Sequence, residues 1–170
     1  AYTWFDPAKE ADAAKALIEQ GVDVILQHTD STAILAEAAK TPGVIGFGQA
    51  SDMMAFAPKA QLTAIVDSWG PYYIKRVKAG MDGTWTSQQS WDGMAEGAVT
   101  MAPYANMPDD VAKMAAETQA AIAAGTLHPF TGPITKQDGT VVGESGKPLS
   151  DGEIHGMNWY VKGVDDKLPQ

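Results

Sequence analysis

The 170-residue sequence predicts an α/β fold built on a parallel sheet. Three observations lead there. The apolar runs "VDVIL", "VIGF" and "QLTAIV" have the length of buried strands. Stretches with helical apolar spacing precede the first run, separate it from the second and follow the third. The links are short and marked by Gly, Pro or Asp, as in strand–helix–strand units.

The elements follow in order. Asp6-Pro7 reads as a helix N-cap with proline at the first helical position. Ala11, Ala14, Leu17 and Ile18 then recur at helical spacing, and Gly21 stops the helix. Residues 22–26 form a strand. Asp30 or Ser31 caps a second helix carrying Ile34, Leu35 and Ala38, which Pro42-Gly43 ends. Strands are expected at 44–47 and 61–66, then a helix from Ser68 to Gly80 with Pro71 in its first turn. Residues 1–83 thus predict a parallel sheet with helices on both faces. Beyond Gly83 the stretch "TWTSQQSWDGMAEG" is polar, aromatic and punctuated by glycine. "AVTMAP" is a candidate strand, and Pro108 to Ala124 a helix with Val111, Met114 and Ala115 on one side. From Gly125 on, Gly and Pro dominate. "ITKQDGTVV" predicts a hairpin around Asp138-Gly139, and "GMNWYVKGV" a short aromatic strand-like piece.

Composition narrows the function classes. The net charge of −9 argues against nucleic acid and against an anionic membrane surface. The absence of cysteine excludes disulfides, thiolate catalysis and cysteine-bound metals. No apolar run approaches the length of a transmembrane helix, so no membrane insertion of this segment is expected. The opening "AYTWFDP" has no initiator Met and reads as if it began inside an element, so a fragment or a processed chain is expected.

In an open parallel sheet, ligands bind beyond the carboxyl ends of the strands. The segments "TWFD", "QHTDST", "GQASDM" and "DSWGPYY" would share that rim. They combine aromatic rings with neutral and acidic hydrogen-bonding groups, which suits a flat small molecule with polar edges. The candidate ligand-binding residues are Trp4, Gln27, His28, Thr29, Asp30, Gly48, Gln49, Asp52, Asp67 and Trp69. Each has a structural alternative. Asp30 or Ser31 can be a plain cap, Trp4 a core residue, Ser51-Asp52 a loop pair, and Trp69 packing. Clustering on one rim favours a site.

Catalytic signals are weak. There is no G-x-S-x-G elbow and no phosphate-binding lysine loop. His28, His128 and His155 lack metal-ligand spacing. His28 beside Asp30 has no accompanying nucleophile. No catalytic residue, metal or cofactor is expected.

The stretch "FDPAKEADAAKALIEQGVDVILQHTDS…GVIGFGQASDM…LTAIVDSWGPYYIKRVKAGMDGTW" resembles the basic membrane protein family of substrate-binding proteins, which serve ABC transporters and include purine nucleoside receptors. The tail "FTGPITKQDGTVV…LSDGEIHGMNWYVKGV" looks like the C-terminal extension of a proteobacterial branch. The resemblance implies a type I periplasmic-binding fold, in which two α/β lobes close on a ligand. It makes 1–83 the second-lobe ligand-binding domain, 84–124 a hinge or crossover strand and helix, and 125–170 a C-terminal extension with a hairpin. The first lobe's sheet would then be missing. The implied partners are a purine ligand, the missing lobe and the membrane subunits of an importer. The implied location is the periplasm, or a lipid anchor at the outer face of the inner membrane.

Residue by residue, Trp4 falls where the nucleoside receptors stack an aromatic ring on the purine. Asp30 falls where they have a glycine near the ligand, and Gly48 where they carry an aspartate that holds ribose. Asp67 falls where they have a lysine nearby. A site without sugar-gripping groups but with an added carboxylate implies a bare nucleobase, with adenine fitting because a carboxylate accepts from an exocyclic amine. Open alternatives are an α/β enzyme acting on a nucleoside or sugar, and a cytosolic ligand-sensing regulator of similar fold.

Overall fold

The structure, a computed structural model, describes residues 3–168. Its contacts divide into two compact units, Ala1–Glu117 and Thr118–Gln170.

The first unit opens with α1 (Pro7–Glu19). The Asp6 carboxylate caps it, accepting from the Lys9 N–H at 3.1 Å, and Pro7 supplies the helical φ. Gly21, at φ +91°, turns the chain out of the helix. Strand β1 (Val24–Ile25) is shorter than the expected 22–26, being an edge strand paired on one side only. After α2 (Ala33–Lys40) come β2 (Ile45–Gly48) and β3 (Gln61–Asp67). These three strands lie parallel in chain order, with Val24 opposite Ile45 and Phe47 opposite Thr63.

The core fills the space between the helices and one face of β1 and β2. Leu35 and Ala38 of α2 are buried with Ile25, Val44, Met53, Ala57 and Ala14 of α1. The helices expected on both faces are unequal. Helices α1 and α2 pack together, and α2 packs on β1 and β2. By contrast α3 (Trp69–Met81) buries no residue, and Ile74, Val77 and Met81 stand 60%, 61% and 81% exposed.

Strand β4 (Val99–Met101) joins the same sheet, antiparallel to β3, with Val66 opposite Thr100. Residues 84–98, between α3 and β4, contain no helix or strand. Helix α4 (Asp109–Ala123) begins with two acidic residues, which suit a helix N-terminus, and buries none of its side chains. Val111 and Met114 on it are exposed. The compact units part at Glu117, inside this helix.

In the second unit β5 (Ile134–Thr135) and β6 (Val141–Val142) form the expected hairpin. Asp138 accepts the Thr140 N–H at 2.8 Å, and Gly139 takes φ +85°. The "GMNWYVKGV" piece is not a strand; it makes one bridge, Val161 to Lys136. Helix α5 (Asp151–His155), not foreseen, starts at a capping box of Ser150 and Glu153. No helix among the described residues is long and apolar enough to cross a membrane.

Candidate functional site

Because β1, β2 and β3 run parallel, the segments after them emerge on one rim. Hydrogen bonds link those segments in sequence. The Asp30 N–H donates to the Trp4 carbonyl at 3.3 Å. Gln27 Nε2 donates to Met53 Sδ at 3.1 Å. The Asp67 N–H donates to the Ala50 carbonyl at 3.0 Å, and the Ser68 N–H to the Ala98 carbonyl at 2.8 Å. The four stretches chosen from sequence are therefore held together. Ala50 takes φ +59°, unusual for a residue with a Cβ, at the tip of the loop after β2.

Trp4 is 77% exposed, which removes its reading as a core residue. His28 and Asp30 are exposed, while Gln27 and Thr29 are half-buried. Neither Asp30 nor Ser31 is the N-cap of α2; Thr32 holds that position without a side-chain bond. Ser31 instead accepts the Ala33 N–H at 3.2 Å and donates to the Glu10 carboxylate. Asp30 is thus left out of capping. Gln27 Oε1 and Thr29 Oγ1 are buried without a hydrogen-bond partner.

Glu10 is bonded to the candidate rim, and sequence reasoning missed it. It is 5% exposed on α1, four residues before buried Ala14, so it interrupts the helix's own apolar stripe. That misplaced charge was the available signal. Burial alone would raise its pKa. Hydrogen bonds from the Ser31 hydroxyl and the Asp6 N–H outweigh burial and hold it below the ordinary value. Thr29 also faces this carboxylate, without reaching hydrogen-bonding geometry.

Asp52 anchors its own loop. Its carboxylate accepts from Gln61 Nε2 at 2.7 Å and from the Met54 N–H at 3.0 Å. The Gln61 bond, then the Met54 one, lowers its pKa against the effect of burial. Gln61, fully buried at the start of β3, also accepts the Met53 N–H at 3.0 Å. The amide opening the apolar run "QLTAIV" was the signal for it. Gly48 is buried in β2, where a Cβ would stand 2.6 Å from Ala64 Cβ and 2.9 Å from Gln61 Oε1. No side chain fits there without displacement. Gln49 is half-buried beside it.

Asp67 and Trp69 line a groove of about 380 Å³ with Tyr72, Trp91 and Asp92. Trp69 stacks on Tyr73 with ring centroids 5.8 Å apart. Among the described residues, no group of three or more His, Cys, Asp or Glu side chains could share a metal ion. The rim offers an aromatic face, an exposed carboxylate and amide and hydroxyl groups, an arrangement suited to holding a small molecule.

Residues 1–126 match the model of the Bmp family, described as ABC transporter substrate-binding protein PnrA-like. The chain is 64% identical over 168 residues to a purine-binding protein of Brucella abortus, covering 99% of this chain and 48% of that protein. It is 29% identical to a Haloferax volcanii protein named for ABC-transporter glucose binding, covering 98% of this chain and 40% of the other. The chain therefore spans about half the length of the curated relatives it matches. Among solved structures, a transcriptional activator of the comK gene from Bacillus halodurans superposes with TM-score 0.62 at 17% identity, over 76% of this chain and 46% of that one. A solute-binding protein of an ABC transporter system from Conexibacter woesei gives 0.55 at 19% identity, over 74% and 43%. These two likenesses bear on fold alone. The family and the 64% identical relative are substrate-binding proteins, not enzymes. The chain belongs to the Bmp family of PnrA-like ABC transporter substrate-binding proteins.

Proposed function

We propose that the whole protein is the solute receptor of an ABC importer, and that this chain forms one wall of an interlobe cleft for a purine nucleobase, adenine favoured. The observation that carries this reading is the pair Trp4 and Asp30. An indole that is 77% exposed lies on the rim, its backbone bonded to that of a residue whose carboxylate is left out of capping. A base stacked on Trp4 would present its edge to Asp30, with Gln27, His28, Thr29 and Gln49 nearby. The crowding around Gly48 leaves no room for a ribose-holding carboxylate, which supports a base over a nucleoside. The name of the 64% identical relative supports a purine. The receptor would work in the periplasm, free or lipid-anchored, and hand its ligand to the importer's membrane subunits. The other lobe would close the cleft.

Calorimetric titration of the full-length protein with adenine, guanine, hypoxanthine, adenosine and glucose tests this. Adenine is expected to bind most tightly. Stacking on one ring contributes about 1–3 kcal/mol, so Trp4→Ala should weaken every purine by roughly ten- to a hundredfold. Asp30→Asn should change the ranking among the bases, because it removes an acceptor matched to the exocyclic amine. Adenosine binding above adenine, or an unchanged ranking in Asp30→Asn, sinks the nucleobase reading. Preference for glucose would move the assignment to the sugar named for the Haloferax relative.

A further inference from the structure

We propose that Glu10 is the positioning residue of the ligand site: its buried carboxylate clamps the segment carrying Trp4 to the segment carrying Asp30. This rests on the reading of Trp4 and Asp30 as ligand contacts. One oxygen of Glu10 accepts the Asp6 N–H at 3.0 Å, two residues after Trp4. The other accepts the Ser31 hydroxyl, one residue after Asp30. The two segments also share the bond from the Asp30 N–H to the Trp4 carbonyl.

The geometry favours a clamp over a plain cap. Asp6 already caps α1 through the Lys9 N–H, so Glu10 is not needed for that. Ser31 uses its oxygen twice, donating to Glu10 and accepting the Ala33 N–H of α2. One carboxylate thus fixes the starts of both helices at the rim, reaching a hydroxyl 21 residues away in sequence. A carboxylate with two accepting oxygens suits this task, because both donors approach from backbone or a short hydroxyl and neither can follow if it leaves. Neutral glutamine keeps the size but offers only one accepting oxygen. Burying a carboxylate is costly unless it is well hydrogen-bonded, and here each oxygen has a donor.

The test uses the full-length protein and adenine as probe. Glu10→Gln and Ser31→Ala are measured for adenine affinity and for thermal midpoint, and Ser31→Thr serves as the conservative rescue. Both clamp variants should bind adenine on the order of tenfold more weakly at a temperature where they are fully folded, with the ranking of bases unchanged. Ser31→Thr, which keeps the hydroxyl, should recover most of the loss. The double variant should be little worse than either single one. If Glu10→Gln does not fold, Ser31→Ala and its rescue decide alone. Lowered midpoints with unchanged adenine affinity overturn the clamp and leave a structural role. Additive losses in the double variant also overturn it. A wild type that binds no adenine overturns the nucleobase reading itself, a result distinct from either.

Discussion

One carbon atom added at Gly48 would meet Ala64 Cβ, Gln61 Oε1 and the Ser51 carbonyl at 2.6, 2.9 and 3.0 Å. Ala64 and Gln61 are fully buried in β3, so neither can retreat into solvent. Gly48→Ala should push β2 from β3 and destabilise the fold by about 1–3 kcal/mol. Urea unfolding followed by circular dichroism checks this; an unchanged midpoint would mean that the strands part without strain. Long-range partners also fix side chains in ways that sequence alone does not show at this scale. Asp52 looks from its neighbours like a free carboxylate, and the Gln61 amide nine residues away in sequence donates to it. Asp30 and Ser31 look equally suited to capping. Glu10, on another helix, draws Ser31 inward and leaves Asp30 out. Both outcomes depend on partners that no local pattern shows.

Elements were legible where their signals are local. Asp6-Pro7 starts α1, Gly21 ends it, and Asp138-Gly139 turns the hairpin, each through bonds or φ angles within a few residues. The box of Ser150 and Glu153 is equally local and "SDGE" carries it in plain sequence, yet α5 was not foreseen. The direction of β4 was not legible, since its three residues carry no mark of which neighbour they join. Nor does the apolar spacing of α3 tell that Ile74, Val77 and Met81 lack a covering surface within this unit. That exposure makes uncrowded positions of α3 a test of helix propensity. At Gly70, in its first turn, an added Cβ would have nothing within 4 Å. Gly70→Ala should therefore raise stability by about 0.5–1 kcal/mol, the reverse of Gly48→Ala. A lower urea midpoint for this variant would show that the groove beside Trp69 needs the glycine.

At the scale of the whole molecule the charge balance is 12 basic against 21 acidic residues. Acid relieves this repulsion, yet it also protonates carboxylates that the fold holds ionised. Glu10 and Asp52 have folded pKa values below their ordinary 4.5 and 3.8. Their contribution is complete above those ordinary values and is lost as pH falls through the folded ones. Thermal midpoints should thus hold steady near neutrality and fall in acid, with a shallower fall in Glu10→Gln. Equal slopes for the variant and the parent would mean that the fold does not shift the Glu10 carboxyl. The same surface has an optical consequence. Of the five tryptophans, Trp4, Trp69, Trp85 and Trp91 are each more than half exposed. Their indoles are already in water, so unfolding moves few of them into a new medium and should shift the chain's emission little. A ligand laid on Trp4 would do the opposite, taking the most exposed indole of the described residues out of water, so fluorescence would report occupancy and be nearly blind to denaturation.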